Sequence, residues 1–210
     1  MFLGLMTLLI LATVPLARGR LDALADVRLA WLPLLLAALL AQILITVTLP
    51  SLPDAVLATT HIATYVAAGW VLWANRRIAG IGVIALGAAL NALPIVVNRG
   101  TLPASRTAES SAGVHVTHHF TNSGVLAHPH LAFLGDTMTS PAFLPLRNVV
   151  SPGDLVILAG LGVLAHVTCD SLIGRFLVRL WRRRLQALPT LRRRLRSTPA
   201  THATPGEATP

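Results

Sequence analysis

The chain has 210 residues, of which 54% are hydrophobic and 12% charged, and its mean hydropathy is +0.68. Soluble domains carry about 25% charged residues, so too little polar surface exists to clothe a water-facing globule, and the apolar content excludes disorder over most of the chain. The formal charge of +9 arises from 17 basic residues, every one of them Arg, against 8 acidic ones. An Arg-only, Ala- and Leu-rich chain fits a GC-rich bacterial genome. The lone Cys169 excludes an intramolecular disulfide and a cysteine-based zinc site.

A membrane-spanning helix needs about 20 apolar residues, with roughly 17 to 25 as the working range. Five stretches read this way: 2–17, 29–49, 55–74, 78–97 and 155–174. The first is short and relies on Met1 and Arg18 snorkelling at its ends. Nothing basic precedes Phe2, and the charge follows the apolar run. That is the reverse of a signal peptide, so the stretch is read as a retained helix with its N-terminus outside. The fold expected is therefore an all-α integral membrane protein with five transmembrane helices over residues 1–174. A long external loop covers 98–154, a basic amphipathic juxtamembrane segment covers 175–197, and 198–210, rich in Thr, Pro and Ala, reads as a disordered end.

Arg placement sets the orientation. Arg18, Arg20 and Arg28 lie between the first two stretches, Arg76 and Arg77 between the third and fourth, and nine more follow the fifth. These fourteen share one side of a five-pass chain, whereas Arg99, Arg106 and Arg147 occupy the other. The expected location is the bacterial plasma membrane, multi-pass, with the C-terminus in the cytoplasm.

Several segments carry residues that chemistry could use. In the first cytoplasmic loop, Asp22 and Asp26 stand four apart; an interfacial helix pairing them with Arg18, Arg20 and Arg28 explains them better than a metal or acid–base pair. The external loop holds His115, His118 and His119 at helical spacing and the alternating pair His128 and His130, donor types suited to zinc or copper. Ser, Thr and Gly surround them without an apolar period, so no metal and no cofactor is expected. Ser151-Pro152-Gly153-Asp154 reads as a helix start, with Ser at the N-cap, Pro at the first helical position and Asp closing a capping box. Within the apolar stretches stand Gln42, His61, Asn91, His166 and Asp170. Asp170 is expected to pair with Arg175 at the interface, and the two amides to bond between helices.

From Arg175 to Leu188, apolar Phe176, Leu177, Leu180, Trp181, Leu185 and Leu188 alternate at helical spacing with Arg179, Arg182, Arg183 and Arg184, and Arg192, Arg193, Arg194 and Arg196 extend the cluster. Such a helix lies on the inner leaflet with its guanidinium groups among anionic lipids. The bilayer and those lipids are the partners expected, with an unidentified membrane protein as a further one; nucleic acid is not expected.

Several short motifs carry a family likeness: Gly19-Arg20-Leu21 with Leu24-Ala25-Asp26 and Arg28, Gln42, Asn98-Arg99-Gly100-Thr101-Leu102-Pro103, Phe133-Leu134-Gly135-Asp136, and Ser151-Pro152-Gly153-Asp154. In this order and spacing the chain resembles the uncharacterised bacterial membrane protein family known as domain of unknown function 5317, over roughly residues 1–170. Arg99 and Leu102 depart from that family's usual Gly and Met, and the His-rich insertion looks particular to this chain. The resemblance implies no reaction, cofactor or ligand.

Two function classes follow. The first is a non-enzymatic scaffold or regulatory or assembly protein of the inner membrane, presenting an outer loop and a basic tail. The alternative is a membrane enzyme or carrier whose site at the external face is built from Asn91, Asn98, Arg99, Asp136 and Asp154, with Arg99 gripping a phosphate and Asp136 as base. The absence of a recognisable nucleophile–base pair or metal motif favours the first. The apolar run 131–146 is too short for a core of its own, so the loop is expected to fold back onto the helix ends and bring Asp136 towards Arg99 and Asn98.

Overall fold

The computed structural model of the chain describes residues 2–48, 52–112, 123–141 and 148–196. It is mostly helical. Helix α1 covers Phe2–Leu16, α2 Leu32–Ile43 with a π-helical turn at Leu44–Thr48, α3 Asp54–Ala74 and α4 Ile81–Val97. Beyond them come a short helix α5 (Arg106–Ala112), then α6 (Pro152–Thr168) and α7 (Leu172–Arg196). Two-residue strands β1 (Leu102–Pro103) and β2 (Ser123–Gly124) pair in parallel, and β3 (Met138–Thr139) and β4 (Val149–Val150) pair antiparallel.

Helix lengths differ from those expected. Among the described residues α3 is the one helix long and apolar enough to cross a membrane alone. The α6–α7 pair reaches that length only as two pieces bent by 100°, and α1, α2 and α4 are apolar but shorter. Of the five spans expected, one or two among the described residues reach full length by length and composition. The cause lies in the backbone at the helix ends. Arg18, Trp31, Gly80, Arg99 and Asp170 all take left-handed conformations, with φ between 47° and 87°, and each stands within two residues of a helix end. A left-handed residue turns the chain out of a helix at once, which trims the apolar stretches. The first loop likewise holds only a single 3₁₀ turn at Leu21–Leu24, and Asp22 pairs with Arg20 two residues away at 2.6 Å, not at helical spacing.

The firmest packing is between α4 and α6, which run antiparallel. Gly80 faces Gly160, and Gly87 faces Gly153. A methyl group on Gly87 would come 2.6 Å from the Gly153 carbonyl oxygen and 2.7 Å from the Ile157 nitrogen; on Gly160 it would come 2.6 Å from the Ile84 nitrogen. Backbone thus touches backbone along a stripe of small residues, the arrangement by which apolar helices gain dispersion energy and close fit.

The remaining helices attach around this pair. Val14 of α1 packs with Ala165 and Cys169 in a buried apolar cluster. The Arg20 amide donates to the Cys169 carbonyl at 2.9 Å, and the Leu172 amide to Ala17 at 2.8 Å. Asn75 clamps the start of α2 to the end of α3, accepting from the Ala30 amide at 2.8 Å and donating to the Ala30 carbonyl at 2.9 Å. The segments around residues 18–30, 75–80 and 169–175 therefore gather at one end, and residues 98–104 and 148–154 at the other. Asp170 meets Arg175 at 3.5 Å.

Gly160 and Gly162 stand two apart on α6 yet differ in surroundings, since nothing lies within 4 Å of a methyl group on Gly162. Gly162→Ala is expected to raise the thermal unfolding midpoint of the detergent-solubilised protein, because Ala is the better helix former by roughly 0.5–1 kcal/mol. Gly160→Ala is expected to lower it, by about 1–3 kcal/mol of overpacking.

Candidate functional site

The polar groups of the loop end start from the cap of α6. The Ser151 hydroxyl accepts from the Asp154 amide at 3.1 Å, and Asp154 Oδ2 accepts from the Ser151 amide at 3.1 Å, so both halves of the capping box form. Asn91 of α4 closes the network: its Nδ2 donates to Asp154 Oδ1 at 2.9 Å, and its Oδ1 accepts from the Ser151 hydroxyl at 2.9 Å. Gly153 makes room, because a side chain there would collide with the Asn91 amide. Both carboxylate oxygens of Asp154 are engaged by these bonds.

Asn98 does different work. Its Oδ1 accepts from the His130 amide and its Nδ2 donates to the His130 carbonyl, both at 2.8 Å, which straps the loop to the end of α4. Arg99 is exposed, in a left-handed conformation at φ 57°. Gly100 follows at φ 99° beneath α3, where a methyl group would come 2.6 Å from the Ala58 side chain. Its carbonyl accepts from His61 Nδ1 at 2.6 Å.

Asp136 is buried among loop segments. Its amide donates to the Pro103 carbonyl at 2.8 Å, its carbonyl accepts from the Ser105 amide at 2.9 Å, and its carboxyl bonds the Ser123 side chain. Gly135 lies on Pro103, where any side chain would strike the carbonyl. Burial pushes the Asp136 carboxyl up to about 6; the Ser123 bond opposes this, and the negative Asp154 and Glu109 nearby add to it.

The five residues expected at the external face thus divide among separate attachments. Asn91 and Asp154 meet, Asn98 holds the His130 backbone, Asp136 is held by Ser123, and Arg99 is exposed. Arg99 and Asp136 form no ion pair: the described residues pair as Arg20–Asp22 and Arg175–Asp170. The expected approach fails because the bridge between Ala104 and Asp136 draws the aspartate under the loop, while Arg99 turns outward from the helix end. Ser123 and Glu109 went unread in the sequence, since short polar residues in a Ser- and Thr-rich stretch give no periodic signal.

No three His, Cys, Asp or Glu side chains converge to hold a metal among the described residues. His128 and His130 are exposed, and His115, His118 and His119 lie outside the described residues. A further cavity of about 280 Å³ separates α2 from α3, lined by Leu35, Gln42, Thr64 and Tyr65, and there Gln42 Oε1 accepts from the Thr64 hydroxyl at 2.8 Å. At the opposite end Arg175, Arg179, Arg182 and Arg183 are exposed along α7; Arg184, Arg192, Arg193, Arg194 and Arg196 belong to the same helix.

The raised Asp136 value has a consequence for stability. The folded state holds this proton more tightly than the unfolded chain, whose carboxyl titrates near 3.8. Stability linked to Asp136 is thus fully present below about pH 4 and is lost as pH rises through about 6, by at most about 3 kcal/mol. Thermal melts of Asp136→Asn beside the wild type between about pH 4.5 and 7.5 should show a decline in the wild type that the variant lacks.

A sequence model described as a family of unknown function (DUF5317) matches residues 26–166. The match leaves out the first helix and the Gly19-Arg20-Leu21 motif. No curated protein and no solved structure matches the chain.

Proposed function

The chain belongs to the DUF5317 family, and from that premise we propose that it is a multi-pass protein of the bacterial inner membrane, a non-enzymatic scaffold or regulatory or assembly protein. In this reading α1, α2, α3, α4 and α6 cross the bilayer, and α7 lies along its cytoplasmic face. The observation that carries it is the inverted distribution of polarity. Leu8 and Leu9 on α1, Leu36, Leu39 and Leu40 on α2, Val66 on α3 and Leu86 and Leu93 on α4 are exposed, whereas His61, Asn75, Asn91, Ser151, His166 and Ser171 are buried. Exposed apolar surface on this scale marks contact with lipid or protein.

Three further observations support the reading. All four tryptophans, Trp31, Trp70, Trp73 and Trp181, are exposed at the end that bears Arg18, Arg20, Arg28, Arg76 and Arg77, as in the aromatic belt of a membrane interface. The 100° bend after α6 turns the amphipathic α7 across the helix axes, into the plane where its apolar face meets acyl chains and its Arg residues meet phosphates. The 17 residues of α4 and of α6 rise about 25 Å, against a hydrocarbon core of about 30 Å. Snorkelling Arg residues and local thinning of the bilayer span the difference.

The scaffold reading rests on how the loop-end polar groups are used. Asn91, Asn98, Ser151 and Asp154 are engaged in caps and straps, two of the family motifs meet where Gly135-Asp136 lies on Pro103, and a third, Gly153-Asp154, lies on Asn91. Motifs that form joints specify a shape, here a folded loop offered to a partner on one side and a basic helix on the other.

In a Cys169→Ser background, Ser110→Cys is expected to react with an impermeant thiol reagent in intact cells, and Thr198→Cys only after permeabilisation. The opposite pattern rejects the orientation. Release of the wild type from membranes by alkaline carbonate rejects integration.

A further inference from the structure

We infer that the cavity between the start of α4, the end of α6 and α7 is a binding site for a single anionic phospholipid, its phosphate held by Arg76, Arg77 and Arg182 and an acyl chain lying along Val83, Val163 and Trp181. The site deepens the membrane reading and rests on it. The cavity encloses about 660 Å³, within the range of ligand pockets, about 300–1,000 Å³. Its lining contains no carboxylate, and none of the three Arg residues takes part in either described ion pair. Arg76 is positioned by the end of α3: its Nη1 donates to the Trp73 carbonyl at 2.9 Å and its guanidinium lies 4.4 Å from the Trp73 ring. One of five N–H donors is thereby used, and the others stay available. Arg77 comes from the same turn, and Arg182 arrives from α7, which the bend after α6 carries over this edge.

Three like charges from two elements around one opening repel each other when it is empty. A phosphate relieves that repulsion and accepts several charge-assisted bonds at once. The remainder of the lining is apolar, which a free phosphate would leave unused and an acyl chain would fill. A lining that joins three Arg residues to apolar walls thus selects an amphiphile. The cavity opens at the Trp- and Arg-bearing end, the level of the anionic inner leaflet, where basic pockets between helices suit phospholipid headgroups. A generally basic tail would attract many lipids loosely; this geometry selects one.

Native mass spectrometry of the full chain in detergent tests the site, with phosphatidylglycerol and phosphatidylcholine of identical acyl chains as probes. The wild type is expected to retain one phosphatidylglycerol and to release phosphatidylcholine. Replacing Arg76, Arg77 and Arg182 by Gln should weaken retention about a hundredfold, at roughly fivefold for each Arg near an anionic surface. Replacing Arg175, Arg179 and Arg183 by Gln removes equal charge outside the cavity and should change it less than about threefold on the same scale. Val163→Trp, which fills the cavity with every charge in place, should also abolish retention. Equal losses in the two Gln triples, equal retention of both lipids, or inorganic phosphate binding as tightly as the lipid would overturn the proposal. Extraction by alkaline carbonate separates the failures: release of the wild type sinks the membrane reading, whereas an embedded protein that retains no lipid sinks the site alone.

Discussion

The backbone contact between α4 and α6 is the constraint on which the other elements depend. Two glycine pairs let the helices approach until each main chain meets the other. The Asn91–Ser151–Asp154 network closes the same interface at the loop end, fixing how far one helix slides along the other. Steric fit and polar bonding act on one seam. A slide of one residue would lift the glycines apart and leave Asn91 facing no partner. A helix pair with so little rotational and axial freedom can carry neighbours on short connections, as α3 does through its turn into α4, and α7 through the bend after α6.

The two ends of the molecule each combine main-chain crossings with side-chain clamps. At the Arg-bearing end the main chain crosses between elements, Arg20 to Cys169 and Leu172 to Ala17, with Ser171 as the hub. Its hydroxyl accepts from the Gly174 amide at 3.0 Å and lies 2.8 Å from His166 Nδ1. At the loop end, side chains hold backbone: Asn98 grips His130 and His61 grips Gly100. The loop is consequently docked by bonds to its main chain, which tolerate changes of its side chains.

How much of this was legible follows from which signals are local. The helical stretches and the capping box at Ser151 lie in short runs of sequence, and the structure has helices and both bonds of the box in those places. The family likeness was legible for a similar reason, since its motifs are contiguous. The pairing of Gly80 with Gly160 and Gly87 with Gly153 was not legible, because its register depends on two segments separated by the whole loop. The break at Asp170 escaped because apolar residues resume directly after it at Leu172 and Ile173; a Ser at position 171 before Leu172 was the available sign of a new helix start. Loop strands of two residues give no alternation to read. The position of Asp136 depends on a bridge to Ala104, a contact that no spacing announces.

His166 has one more bearing, on the order in which the molecule is assembled. Its Nε2 lies 3.1 Å from the Thr13 hydroxyl of α1, across 153 positions of sequence, and Val14 packs on Ala165 and Cys169 nearby. Chains are made from the N-terminus and non-local contacts form only once both halves exist. Helix α1 is therefore among the last of the described helices to find its place, since its partners on α6 and at Cys169 are synthesised long after it. Helix α1 acts as the latch that closes a structure whose hinge, the α4–α6 seam, exists only once α6 has been made.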